Sequence, residues 1–314
     1  MRIIPILLLA ACSAGAAAPS ARPSQAPAGF WEHWGDGQAE LAGYTLTIPR
    51  YGEIRTGEAV LVFVTESLDP KTLVKPNVPR DGTIPVIKLN DTRDFQTGVY
   101  DYNLMTSAFV PLDGSQPRGV PTKVSFSSQE WCGHVYDQLT VQGGAIQHTW
   151  HSYFEGEGDG SERLDLPKGA VLGDAAAILA RDLAGEWVKP GESREIRWFP
   201  RTQTTRFRHE PGRFVDATLS READTREITV PAGTFEVRRT TVTAGEEVGS
   251  WDIEVAPPHR LVAWSFSDGE RGELTGSARM PYWQTHDEGQ EQLRTRLGLG
   301  VRPNLPPPGS AVEN

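Results

Sequence analysis

Between Glu130 and Glu155 the sequence gathers the residue types from which thiol, acid–base and metal chemistry are made: Glu130, Cys132, His134, Tyr136, His148, His151, Tyr153 and Glu155. A thiol beside an imidazole and a carboxylate is the composition of a nucleophilic site, where the base takes the thiol proton and the acid orients the base. Spacing decides which histidine serves. Residues two apart on a strand lie about 6.5–7 Å apart, too far for a direct Cys132–His134 bond. His151, brought across from a neighbouring strand, is the better base, so Cys132, His151 and Glu155 form the catalytic alternative. Cys132, His134, His151 and Glu155 also carry donors that Zn²⁺ accepts. No close-spaced ligand pair accompanies them, because His148 and His151 on one strand point to opposite faces. No metal and no cofactor is therefore expected. The plainer reading of Cys132 is a half-buried side chain packed beside aromatics.

The local register can be worked out. Gly143-Gly144 reads as a tight turn between residues 131–141 and 145–154. With those two glycines as the loop, paired residue numbers sum to 287. Cys132 then faces Glu155, His134 faces Tyr153, and Tyr136 faces His151, all on one side of the hairpin. Glu130 joins that side by the period of two. The opposite side carries Val135, Leu139, Val141, Ile146, Trp150 and Phe154, with Asp137 and His148 among them. One side is core. The other is polar and aromatic, and Glu130, His134, Tyr136, His151 and Tyr153 are the candidate ligand-binding set, expected to line a shared cleft.

The elements that must position these residues read as strands. Ala59 to Val64 is an apolar run rich in β-branched residues, and Tyr44 to Ile48 alternates. Such segments recur to Ser277, separated by turn signals such as Pro231-Ala232-Gly233 and Asp268-Gly269. That spacing predicts an all-β fold of large antiparallel curved sheets, a sandwich or open barrel. One helix is predicted over 175–184, with Asp174 as its cap and Gly185 past its end, and a second near 287–297. The 32 glycines and 24 prolines of the 314 residues argue against a helical bundle. Trp31, Trp34, Tyr44 and Trp251 are either core or the lining of a cleft, and Arg50, Arg55 and Arg93 with Glu53 are expected as surface pairs. The acidic turn Glu155 to Gly160 fails as a calcium loop, since Leu166 stands where the bidentate glutamate is needed. A net charge of -10 without a basic stripe argues against nucleic acid.

The first residues carry an address. Arg2 is followed by an apolar run and then Leu9-Ala10-Ala11-Cys12. A basic start, a short apolar stretch and small residues before a cleavage point describe a secretory signal. The Leu-Ala-Ala-Cys string resembles the lipobox of bacterial lipoproteins, which implies lipidation at Cys12. Membrane attachment through acyl chains is the expected consequence, with the protein exported and held at the outer membrane facing the periplasm. The organisation expected is a signal peptide (1–11), a tether (12–29), a first β region (30–167), a helix and linker (168–189), a second β region (190–285) and a tail (286–314).

Four segments resemble an uncharacterised family of bacterial exported proteins: Phe30 to Leu41, Pro49-Arg50-Tyr51-Gly52, Asp94 to Tyr102 and Ser127 to His134. Some members carry a label as septum formation inhibitors of the Maf type. The label does not fit this chain, which lacks the Ser-x-Ser-Pro-Arg-Arg start and reads as exported and β-rich. Ile228 to Phe235 with Pro258-His259-Arg260-Leu261 is similar to a domain of unknown function, DUF3108, over about residues 190–283. That resemblance implies an antiparallel β fold and no known catalytic residues. The function expected is a lipid-anchored envelope protein that binds without catalysis. Its partner would be an apolar or glycan-like small molecule or an envelope protein. A hydrolase or transferase built on Cys132 and His151 is the alternative.

Overall fold

The computed structural model describes residues 24–78 and 80–301; Cys12 and the segment expected as a signal peptide lie outside the described residues. Among the described residues sixteen strands form one largely antiparallel sheet. The first half comprises β1 (Ala39–Arg50), β2 (Glu53–Leu68), β3 (Ile84–Thr97), β4 (Tyr100–Pro111), β5 (Lys123–Glu130), β6 (Gly133–Gln142), β7 (Ala145–Ser152) and β8 (Asp159–Asp165). The second comprises β9 (Ala170–Leu172), β10 (Ser193–Phe199), β11 (Val215–Arg221), β12 (Arg226–Val230), β13 (Gly233–Ala244), β14 (Glu247–Glu254), β15 (Leu261–Phe266) and β16 (Arg271–Met280). Strand order runs from β8 down to β1, across to β16, and down to β9, with β12 beside β13 off the path. Only β9 is parallel to its neighbour, β10. The two halves are stitched where β1 pairs with β16, from Ala39 opposite Met280 to Thr47 opposite Arg271. The all-β, curved, unclosed antiparallel architecture expected from the turn spacing is the one observed.

Local chemistry explains the ladder. Gly143 and Gly144 have φ of 59° and 76°, the two left-handed residues of a hairpin turn that only glycine adopts freely. The pairing Gln142 opposite Ala145 and Tyr136 opposite His151 follows, so the register sum of 287 holds. At the last hairpin the turn is longer than the two residues expected at Asp268-Gly269: Phe266 donates its N–H to the Glu270 carbonyl, leaving Ser267, Asp268 and Gly269 in the loop. Gly272 shows a different use of glycine. It lies opposite Trp264, and a Cβ there would stand 2.2 Å from the indole, so the bare backbone is what lets the ring lie flat across the strand.

The core fills the inside of the curve. Tyr44, Phe63, Tyr102, Phe126, Trp187 and Phe199 are among its largest fully buried side chains. The helical segment expected over 175–184 is shorter than its pattern: a 3₁₀ turn over Gly173–Ala175 leads into α2 (Ala176–Ala180) and stops. Asp182 sits at φ 55°, which ends the helix. Asp174 does not cap it. Its carboxylate accepts from the N–H and hydroxyl of Thr202 instead, anchoring the first turn of α3 (Thr202–Arg208). The second expected helix is a 3₁₀ helix over Gln290–Leu297, whose Leu297 and the following Leu299 pack with Ala39, Leu41, Val62 and Val64 outside the main core. The first part of the region expected as a C-terminal tail is therefore docked, as far as Leu299.

Candidate functional site

The polar side of the β6–β7 hairpin holds together as a face but not as a cleft. His134, Tyr136 and His151 share it and are exposed, whereas Tyr153, 69% exposed, lies past the end of β7 with its ring against Gly133, which points to the other side of the strand. Tyr136 donates to Gln138 at 3.0 Å, and His151 Nδ1 lies 3.2 Å from Asp159. Glu130, expected on this side, is not on it. Trp131 and Cys132 form the turn between β5 and β6, which breaks the period of two, so Glu130 pairs with Gly133 and is buried with Phe126 and Ser128, accepting from the backbone N–H of Cys132 at 3.3 Å. Glu155 is exposed in the turn beyond the ladder. Among the described residues no strand packs over this face, which is why it stays open. Cys132 is exposed, and the adjoining Glu130 carboxylate pushes its thiol above the ordinary value. A nucleophilic cysteine needs the reverse.

The opposite side of the hairpin, read as core, holds the more directed chemistry. His148 is buried, with Nε2 at 2.7 Å from Asp137 and Nδ1 at 3.3 Å from Glu162, which Arg213 holds at 2.8 Å. Next to it Arg206 from α3 donates to Glu157 at 3.0 Å, and His209 Nδ1 lies 2.6 Å from the same carboxylate. These groups line a cleft of about 230 Å³. Their arginine and histidine partners hold Glu157 and Glu162 below the usual carboxylate range, against the opposing effect of burial. Each acid already has its cation, so this network clamps α3 to the hairpin. Among the described residues no group of three or more His, Cys, Asp or Glu is arranged to hold a metal ion.

A second buried ion network lies deeper. Arg93, expected in a surface pair, is buried and forms a two-bond pair with Asp91 at 2.9 and 2.8 Å. Its remaining nitrogen reaches Glu270 at 2.7 Å, where Arg201, Gln203 and the Trp264 indole also donate. The expectation fails because alternation on β3 turns Arg93 inward. Arg55 and Glu53 do pair at the surface, at 2.7 Å. Arg50 is half-buried instead, its guanidinium 4.4 Å from the Tyr51 ring and 4.6 Å from the Phe207 ring.

A concavity of about 550 Å³ opens at one mouth of the second half. Its walls come from α1 (Phe30–Trp34), the turn after α2, the strands β11, β13 and β14, and the loop to His259. Phe30, Trp34, Leu183, Ile253, Val255 and Pro258 supply apolar surface. Of the four aromatics singled out in sequence, Trp34 lines this cleft, Tyr44 and Trp251 are core, and Trp31 is half exposed. The polar lining is unevenly satisfied. Arg181 is clamped to Glu40 at 2.7 and 3.0 Å and also donates to the His259 carbonyl. Arg221 is clamped to Asp182 at 2.6 and 2.9 Å. Glu254 is held by Arg260. Burial, with Arg279 beside it, lowers the His33 imidazole below its ordinary value. Arg238 differs: among the described residues no acid pairs with it, and its Nε is shut off from solvent without a hydrogen-bond partner. Asp182 and His259, both on this rim, are non-glycine residues at φ 55° and 59°. Backbone held in that region costs about 1–3 kcal/mol and tends to mark sites of function. Sequence reasoning missed Arg238, Arg221 and Asp182; the two arginines stand on β13 and β11 at the same alternating positions as buried neighbours, and Asp182, in the turn after α2, carried no signal of its own.

No family model matches the chain, residues 190–285 included, and no curated protein matches it. The crystal structure of a β-barrel-like protein of the domain of unknown function DUF1849 from Brucella abortus is similar, at 11% identity and a TM-score of 0.44. The similarity covers 77% of this chain and 98% of that one.

Proposed function

We propose that this chain is a non-catalytic binding module whose small-molecule ligand enters the cleft between α1, the turn after α2 and the β13–β14 wall. The observation that carries the reading is the cleft itself. Its volume of about 550 Å³ falls within the range of small-molecule sites, and it combines apolar walls with a few fixed polar groups at the mouth of a curved sheet. The alternative of a hydrolase or transferase built on Cys132 finds no support in a thiol held protonated by its neighbour. Native mass spectrometry of the purified protein tests the reading, together with titration of the neutral fluorophore N-phenyl-1-naphthylamine. The fluorophore should bind and be displaced by any co-purifying molecule. Val255→Trp, which fills the cleft from a half-buried position, should weaken binding at least about tenfold, or about 1.4 kcal/mol. Binding unchanged by that variant places the ligand elsewhere.

We further propose that Cys12 is lipidated and anchors the protein to the outer membrane, facing the periplasm. The support is the string Leu9-Ala10-Ala11-Cys12 after a basic start and an apolar run. Metabolic labelling with palmitate should mark the protein, and Cys12→Ala should abolish the label and release the chain from the membrane fraction. A membrane-bound, correctly processed Cys12→Ala protein rules the anchor out.

A further inference from the structure

The cleft distinguishes among its own arginines. Arg181 and Arg221 are each neutralised by a carboxylate that meets them with two bonds. On β13 the next residue, Arg239, is likewise consumed, by Asp252 at 3.0 and 2.7 Å. Arg238 faces the other side of the same strand. Its register partner is the apolar Ile253, which also lines the cleft. Its guanidinium therefore stands in the wall with an enclosed, unbonded Nε, and among the described residues no acid forms an ion pair with it; of the described acids in the lining, Asp182 and Glu254 are paired elsewhere and Glu32 is exposed at the rim. A half-buried cation without a counter-charge is an expensive arrangement unless an anion completes it. The surface next to it is apolar: Phe30, Trp34, Ile253 and Val255.

We infer that the cleft takes a single-chain amphiphile with a carboxylate or phosphate head, the head meeting Arg238 and the apolar body lying against Trp34 and Ile253. The inference rests on the binding reading above and adds to it the charge of the ligand. Guanidinium suits such a head because its planar donors meet two oxygens at once. Arg181 and Arg221, already saturated, hold the frame and leave Arg238 as the group that reads the head.

Isothermal titration of the wild-type protein with dodecanoate, dodecyl phosphate, dodecan-1-ol and inorganic phosphate tests this. Both acids should bind at least about tenfold more tightly than the alcohol, as expected for charge-assisted hydrogen bonds. Arg238→Gln should reduce that preference to within about threefold, and Arg238→Lys should keep most of it. If the alcohol binds as tightly as the acids, the anionic head is wrong and the binding reading stands. If neither the alcohol nor the acids bind, both fall together. Inorganic phosphate binding as tightly as dodecyl phosphate would make the ligand a free anion and overturn the amphiphile. A preference surviving in Arg238→Gln removes Arg238 from the role. The wild-type comparison requires no folded variant, so a variant that fails to fold leaves the inference open to refutation.

Discussion

Arg93 and Glu270, separated by 177 residues, meet at 2.7 Å in the interior of the curved sheet. Arg93 comes from β3 in the first half and Glu270 from the turn before β16 in the second. Arg201, Gln203 and the Trp264 indole complete the shell around the same carboxylate. Removing one partner of a buried pair leaves an uncompensated charge. Glu270→Gln should therefore lower unfolding free energy by about 3–5 kcal/mol, read by urea denaturation. A loss under about 1 kcal/mol would show that the network is not needed to hold the halves together.

Two buried carboxyl groups give stability opposite dependences on pH. Arg201 and Arg93 hold Glu270 down at about 2 against the opposing effect of burial. Its contribution is fully present above the unfolded value near 4.5 and is lost as pH falls toward 2. Burial pushes Asp174 up to about 6, so the unfolded chain ionises first and stability is lost as pH rises from about 4 to 6. Asp174→Asn should remove that second slope. Its stability relative to wild type should improve by up to about 3 kcal/mol between pH 4 and pH 7. A difference that stays constant across this range would mean that Asp174 titrates as an ordinary carboxyl.

The bare strand beneath Trp264 makes a packing prediction. Gly272→Ala drives a methyl group into the indole, and the ring is buried, so it has nowhere to move. A loss of about 1–3 kcal/mol is expected from overpacking. Gly300→Ala is the control, because a Cβ there meets open space, and its melting temperature should match wild type. Equal melting temperatures for both variants would contradict the close contact.

Cys132 gives a prediction about reactivity. Its thiol is accessible but kept protonated by Glu130. Iodoacetamide should alkylate it more slowly than glutathione near neutral pH, and Glu130→Gln should accelerate the reaction. Alkylation faster than glutathione would restore the thiol as a nucleophile.

The fold was legible because its signals are local. Gly143-Gly144 fixed a turn, the turn fixed the register, and the register put Val135, Leu139, Val141 and Ile146 inside, where they are found. The site was less legible because enclosure is not a local property. Alternation correctly groups His134, Tyr136 and His151 on one face, yet nothing along the hairpin says whether another layer will cover that face. Asp137 and His148 look anomalous on an apolar side until Glu162 and Arg213 are seen to complete them. Arg93 and Arg238 sit on strands like any exposed arginine. Their partners, or lack of them, are decided by residues far along the chain.

The strand order has a consequence for how the chain folds. Each half of the sheet is largely a succession of antiparallel neighbours close in sequence, whose loops close at small entropic cost. The β1–β16 seam instead joins strands from nearly opposite ends of the described chain. Closing a loop of that size costs more conformational entropy than any hairpin, and it is repaid only once many pairs have formed. Each half is therefore expected to gather its ladder early and the seam to zip last. The rate of reaching the native state is then governed by the search that brings Ala39 alongside Met280.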